Sequence, residues 1–148
     1  MQDNSNYVYF FDVWYTFKDP NEDSHSFHIG YFSSKKRAVE AIEKIKDKPG
    51  FLDTDGNFAV SKVRVYSNQL NLKKENCNLF ILNHEFLDED GYDNYTIWGP
   101  FLTEAEATEV YNDNKEKNPY CLYLENFEIT DQKADLIGWT EGFVSDDV

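Results

Sequence analysis

The chain has two cysteines, Cys77 and Cys121, no long apolar run and, in its second half, very few cations. Two thiols with no motif spacing exclude a disulfide framework; in a chain without an export signal they are expected reduced and partly buried. The opening Met1-Gln2-Asp3-Asn4-Ser5-Asn6 has neither a cationic region nor an apolar one, so a signal peptide is not expected. Apolar runs stop far short of the roughly 20 residues a membrane helix needs. These absences predict a cytoplasmic protein with no membrane contact.

What is present suits one domain. At 148 residues, folding should bury roughly 68–70% of the unfolded surface. Hydrophobic residues make up 41% and aromatics 17%, too apolar for a disordered chain even at a net charge of −14.

Sliding the chain against itself by 69 residues aligns Val8–Lys48 with Cys77–Lys117 without a gap. The identities are sparse, among them Phe17/Phe86, Gly30/Gly99, Phe32/Phe101 and Ala38/Ala107. The apolar phase is the better test. Phe11, Val13, Tyr15 and Phe17 alternate at period two, and the shifted set is Phe80, Leu82, His84 and Phe86. Turn-rich stretches follow both, Lys18–Asp23 and Asp88–Asp93, and then second strands around Ser26–Phe32 and Tyr95–Phe101. A helix comes next in each copy. Ser34 and Thr103 are placed to accept from its first amides, with Thr103 and Glu106 spaced as a capping box. Ala38, Ala41, Ile42 and Ile45 form the buried stripe of one helix; Ala107, Val110, Tyr111 and Asn114 form that of the other. Pro49-Gly50 and Asn118-Pro119 stop them.

The closing strands share a phase error. Phe58, Val60, Val63 and Val65 answer to Leu122, Leu124, Phe127 and Ile129 at an offset of 64. A regular strand cannot put all four on one face, so a bulge or bend is expected at Ser61-Lys62 and at Glu125-Asn126. The reading is an α+β fold of two ββαβ repeats sharing one core, with two helices on one face of antiparallel sheet. Repeat 1 covers about 7–67, repeat 2 about 77–131, and a C-terminal tail 132–148. One sheet of six strands and two half-sheets are both open.

Gly30-Tyr31-Phe32-Ser33-Ser34, Ala38, Ala41-Ile42, Lys46, Pro49-Gly50-Phe51, Phe58 and the terminal Trp139-Thr140-Glu141-Gly142-Phe143 carry a resemblance. The chain resembles a small bacterial family of uncharacterised domains reading roughly G-x-Y-S-S-x-x-x-A-x-x-A-I, then K-x-x-P-G-F, a strand, and W-x-E-G-F. The family's opening strand commonly carries a histidine, which would match His84 in copy two and Tyr15 in copy one. Copy two departs at Gly99-Pro100-Phe101-Leu102 and lacks P-G-F. The resemblance implies a fold, and no activity.

Charge separates the copies. Residues 1–75 hold 11 Lys/Arg and 11 Asp/Glu, while residues 76–148 hold 3 and 17, so all of the −14 falls in the second half. Asp88, Glu89, Asp90 and Asp93, with Glu104, Glu106 and Glu109, would make a face that steers a basic partner. Tyr92, Tyr95 and Trp98 lie among them as candidate anchors. Helix one opens on Lys35, Lys36 and Arg37, which oppose the helix dipole: either a plain solvated face, or a place for an anion, whether a ligand phosphate or a carboxylate of copy two or of a second chain.

Catalytic and metal signatures are missing. Asp53-Thr54-Asp55-Gly56-Asn57 opens like a calcium loop, but Phe58 and Arg64 fall where Gly and Glu are required, so a turn is expected. His25, His28 and His84 have no metal-ligand spacing. His84 is expected in the core, with Glu141 of the tail as its sharper candidate partner. No phosphate loop, nucleophile elbow or Cys/His pair is visible, and nucleic-acid binding is disfavoured at this charge. The leading expectation is a non-catalytic acidic binding protein without a cofactor, an immunity-type antagonist of a basic protein such as a nuclease toxin. The alternative is a small-ligand or regulatory sensor binding an anion between the repeats.

Overall fold

The computed structural model describes residues 7–67, 72–87, 90–117 and 126–144. Its class is α+β: two three-stranded antiparallel sheets and two helices. The elements run β1 (Tyr7–Lys18), β2 (Ser24–Phe32), α1 (Lys35–Ile45), β3 (Asn57–Tyr66), β4 (Asn78–Leu87), β5 (Asp93–Phe101), α2 (Glu104–Lys117) and β6 (Asn126–Lys133). The strand orders are β2-β1-β3 and β5-β4-β6, so the choice between one sheet and two falls to two. Packing groups Tyr7–Arg64, Asn71–Cys77 and Lys133–Val148 into a first compact unit. Val65–Leu70 and Asn78–Gln132, with Met1–Asn6, form the second.

The two hairpins pair in one register. In the first, Phe11 faces Phe32, and Trp14, Tyr15, Thr16, Phe17 and Lys18 face His28, Phe27, Ser26, His25 and Ser24. Adding 69 to every one of these numbers gives pairs of the second hairpin, from Phe80–Phe101 and Asn83–Ile97 to Leu87–Asp93. Both ladders also slip near the same place, between Val13 and Trp14 and between Phe80 and Leu82. A strand's side-chain period is two, so a slip of one residue would turn its whole apolar set outward; burial of one face therefore fixes the register.

β3 carries the expected phase break. Phe58, Val60, Val63 and Val65 are turned inward, while Ser61 and Lys62 are both exposed between them. In the second unit Leu122 and Leu124 lie outside the described residues, and Phe127 and Ile129 are half-buried on β6.

The helices cap as their sequences predict. The Ser34 hydroxyl accepts from the Arg37 amide at 3.2 Å, and the Thr103 hydroxyl accepts from the Glu106 amide at 3.2 Å. The Glu106 carboxylate turns to the Thr103 hydroxyl, 2.9 Å away, so the second half of the box is closed through the side chain. α1 buries Ala38, Ala41 and Ile45 against β1 and β2, and α2 lays Ala107 against its own hairpin, β4 and β5.

The core of the first unit is an aromatic cluster of Tyr15, Phe17, Phe51 and Phe143, with Val13, Ile29, Phe32 and Ile45 around it. The tail completes it. The amides of Asp135 and Gly138 donate to the carbonyls of Tyr31 and Ile29, both at 2.8 Å, covering β2, an edge strand of its sheet. Phe143 then enters the cluster, 4.6 Å from Phe27 and 5.0 Å from Phe51 between ring centres.

Pro49-Gly50 and Gly142-Phe143 interlock there. The Phe143 amide donates to the Pro49 carbonyl at 2.9 Å. A Cβ on Gly142 would stand 2.0 Å from that carbonyl oxygen, and one on Gly50 would stand 2.5 Å from the Phe143 ring. Both glycines have positive φ, so no other residue suits either place. The segments singled out as P-G-F and W-x-E-G-F are the two sides of one clasp.

Candidate functional site

α2 supplies the acidic surface. Glu106, Glu109 and Asp113 recur at three and four residues and so share one helical face, with Val110 beside them. Together with Phe101 and Tyr66 they line a groove of about 430 Å³ in the second unit. Tyr66 is 45% exposed, so the groove pairs a ring with a carboxylate rim.

The expected partner-binding residues fall into three groups. Asp90, Glu104, Glu109 and Tyr92 are exposed, Tyr92 at 71%. Glu106 is half-buried by its cap contact, and Trp98 is half-buried with its ring 6.1 Å from His84 and 6.2 Å from Phe127. Asp93 and Tyr95 lie on β5, and Asp88 and Glu89 lie outside the described residues. Tyr66, Phe101 and Asp113 were not anticipated. Asp113 continues the Glu106–Glu109 spacing and was legible; Tyr66 and Phe101 join α2 only through the fold.

Counted by unit, the charge contrast holds. The second unit contains 2 Lys/Arg against 14 Asp/Glu, a net of −12, and the first contains 12 against 14, a net of −2.

His84 is buried and its ring stacks on Phe127 at 3.9 Å, nearly parallel. Tyr15, its counterpart in the first unit, is buried as well, with its hydroxyl 2.5 Å from the Thr54 hydroxyl. Glu141, the candidate partner of His84, is exposed on the turn between Trp139 and Phe143. Trp139 stacks on Phe27 at 4.5 Å and its indole donates to the His28 carbonyl at 3.2 Å. The tail is thus held by first-unit groups.

One cation at the start of α1 finds its anion on the chain itself. Arg37 donates to the Asp135 carboxylate at 2.8 Å, and the Ser33 amide, the Ser33 hydroxyl and the Asn76 amide converge on the same group. Burial pushes this carboxyl up, but the Ser33 and Asn76 donors and Arg37 outweigh it and hold it below the usual carboxylate range. Lys35 and Lys36 are exposed.

Two carboxylate–imidazole pairs span the first hairpin, Asp12 with His28 and Asp19 with His25. Asp12 also accepts from the Trp14 indole at 2.9 Å. Beside them Tyr31 is pushed up to about 12 by burial and by the Asp12 charge. The hydrogen bond from His25, helped by the amides of Asp23 and Asn21, lowers the pKa of Asp19.

The stretch from Asp53 to Asn57 is a turn: the Asp53 carboxylate accepts from the Gly50 amide at 3.1 Å and the Thr54 hydroxyl donates to the Gly50 carbonyl at 2.7 Å. Among the described residues no group of three or more His, Cys, Asp or Glu is placed to hold a metal ion. Cys77 is a free, half-buried thiol whose pKa is raised by burial and by the Asp135 charge; Cys121 lies outside the described residues. No described helix is long and apolar enough to cross a membrane. Comparison with known family profiles, with curated proteins and with solved structures finds no match to this chain.

Proposed function

We propose that this is a non-catalytic binding protein whose second unit receives a basic protein, as an immunity-type antagonist of a nuclease toxin would. The observation that carries the reading is the groove on α2, which Glu106, Glu109 and Asp113 line together with Tyr66, Phe101 and Val110 in a unit of net charge −12. Carboxylates supply steering and selection against acidic surfaces, and buried rings supply most of the affinity. A lysine or arginine of the partner entering the groove would meet both.

One further feature supports this reading over an anion sensor, and one supports it over a catalytic site. Asp135 occupies Arg37, leaving the opening of α1 without its strongest anion donor. His84 is enclosed by rings while Glu141 is exposed, which does not suit an acid–base pair in an open pocket. The shared register of the hairpins also supports descent of the two units from one duplicated ββαβ element.

Calorimetry against a panel of purified basic nucleases, with acidic proteins of similar size as controls, tests the proposal. One nuclease should bind and be inhibited, with affinity falling as salt rises and falling further in E109Q/D113N. A panel bound indiscriminately, or a tight complex indifferent to those substitutions, would overturn it.

A further inference from the structure

We propose that the β1–β3 face of the first unit, formed by Tyr7, Tyr9, Lys62 and Arg64 beside Lys74, docks the acidic α2 of a second copy of this chain. The Lys62 ammonium lies 4.3 Å from the centre of the Tyr9 ring, and the Arg64 guanidinium lies 4.3 Å from that of Tyr7. Lys74 sits over Phe10 at 5.8 Å and donates to the Tyr9 carbonyl at 2.9 Å. Among the described residues no carboxylate pairs with any of these three cations, although Asp and Glu outnumber Lys and Arg by 28 to 14. The face is open: Lys62 and Arg64 are exposed, and Tyr9 is 42% exposed.

A cation resting on a ring keeps its full charge and its capacity to donate. The ring already restrains the side chain, so less rotamer freedom is lost when a carboxylate arrives. The surface is therefore pre-ordered for anions, and this chain carries the complement. Glu109 and Asp113, four residues apart on a helix, are separated by about 6 Å along its axis. Lys62 and Arg64, two residues apart on a strand, are separated by about 6.8 Å. The two pairs match in pitch and are opposite in sign. Such a contact is heterologous, the face of one copy meeting the helix of another.

Whole-molecule charge opposes it, since each copy carries −14. Ionic strength decides the balance. At about 0.01 M salt the screening length is about 30 Å and the repulsion between copies prevails; at about 0.15 M it is about 8 Å, and only pairs in contact count. At about 1 M, with screening near 3 Å, the contact pairs weaken in turn. Association should therefore peak at intermediate salt.

Sedimentation velocity over a concentration series at those three salts reads this directly. The expected result is mass that rises with concentration most steeply at the middle salt. K62E/R64E and E109K/D113K should each weaken self-association about tenfold, and an equimolar mixture of the two should restore it, because the intact helix of the first meets the intact face of the second and the two reversed surfaces also match. K62Q/R64Q, checked for an unchanged circular dichroism spectrum, guards against loss through misfolding and should fall between wild type and the swap. A monomer at every salt, association that climbs steadily to 1 M as an apolar contact would, or swaps without effect would each overturn the proposal. Any of those results leaves the basic-nuclease reading standing, since that is measured on a different complex.

Discussion

The two hairpins hold matching strand pairs across a separation of 69 residues, yet their centres and surfaces differ. Tyr15 lies at the centre of one unit, its hydroxyl tied to Thr54, and His84 lies at the centre of the other, stacked on Phe127. The first unit is nearly neutral and the second carries −12. Strand pairing answers to the apolar phase, which both halves have; surface charge is free of that constraint. The pair thus separates what the fold needs from what a partner would need.

Five substitutions would break or sharpen this contrast. Phe143→Ala should have the largest effect, destabilising the protein by about 3–5 kcal/mol, because it empties the place the tail fills among Phe17, Phe27 and Phe51. Urea denaturation measures it. If the loss is under about 1 kcal/mol, Phe143 is not the core residue its rings indicate.

Asp135→Asn should cost about 1–3 kcal/mol by weakening the acceptor shared by Ser33, Arg37 and Asn76. The carboxyl titrates below its ordinary value, so its contribution is present in full above the unfolded pKa of about 3.9 and fades as pH falls through the folded one. Stability measured from pH 7 to pH 2 should show an acid loss in the wild type that is shallower in the variant. Equal slopes would remove Asp135 from the account.

Removal of either helix cap should follow, at about 1 kcal/mol each for Ser34→Ala and Thr103→Ala. Thermal melts of both variants compare the helices directly. A larger loss at Thr103 would show that the Glu106 contact adds to the cap, and a silent Thr103→Ala would show that α2 is held by packing alone. Tyr15→Phe should be the mildest, at about 0.5–1.5 kcal/mol for the hydrogen bond to Thr54, with the ring packing intact. An unchanged melting temperature would mean that the ring alone fits Tyr15 to its place.

Much of this architecture was legible before any coordinates. Period-two alternation placed the strands, Ser34 and Thr103 placed the helix starts, and the doubled polar step at Ser61-Lys62 marked the phase break in β3. These are local signals, each carried by residues within one element. The docking of the tail was not legible, because Gly142 meets Pro49 across more than ninety residues and no periodicity spans that distance. Nor was the identity of the anion at α1. The sequence left room for one near Lys35, Lys36 and Arg37, and only packing brought Asp135 to Arg37. In the acidic site the carboxylates of α2 could be read from their spacing, whereas Tyr66 and Phe101 reach the groove from other elements.

The sequence by itself determined the order of the elements, the apolar phase of both hairpins and the half of the chain that carries the charge. Each follows from side-chain phase or from composition, and none depends on distant neighbours. The tertiary structure decided that six strands make two sheets, that the tail closes the first unit, and which rings stand beside which charges. Those outcomes turn on contacts between residues far apart in the chain, where shape and burial select one partner among many that local chemistry would accept.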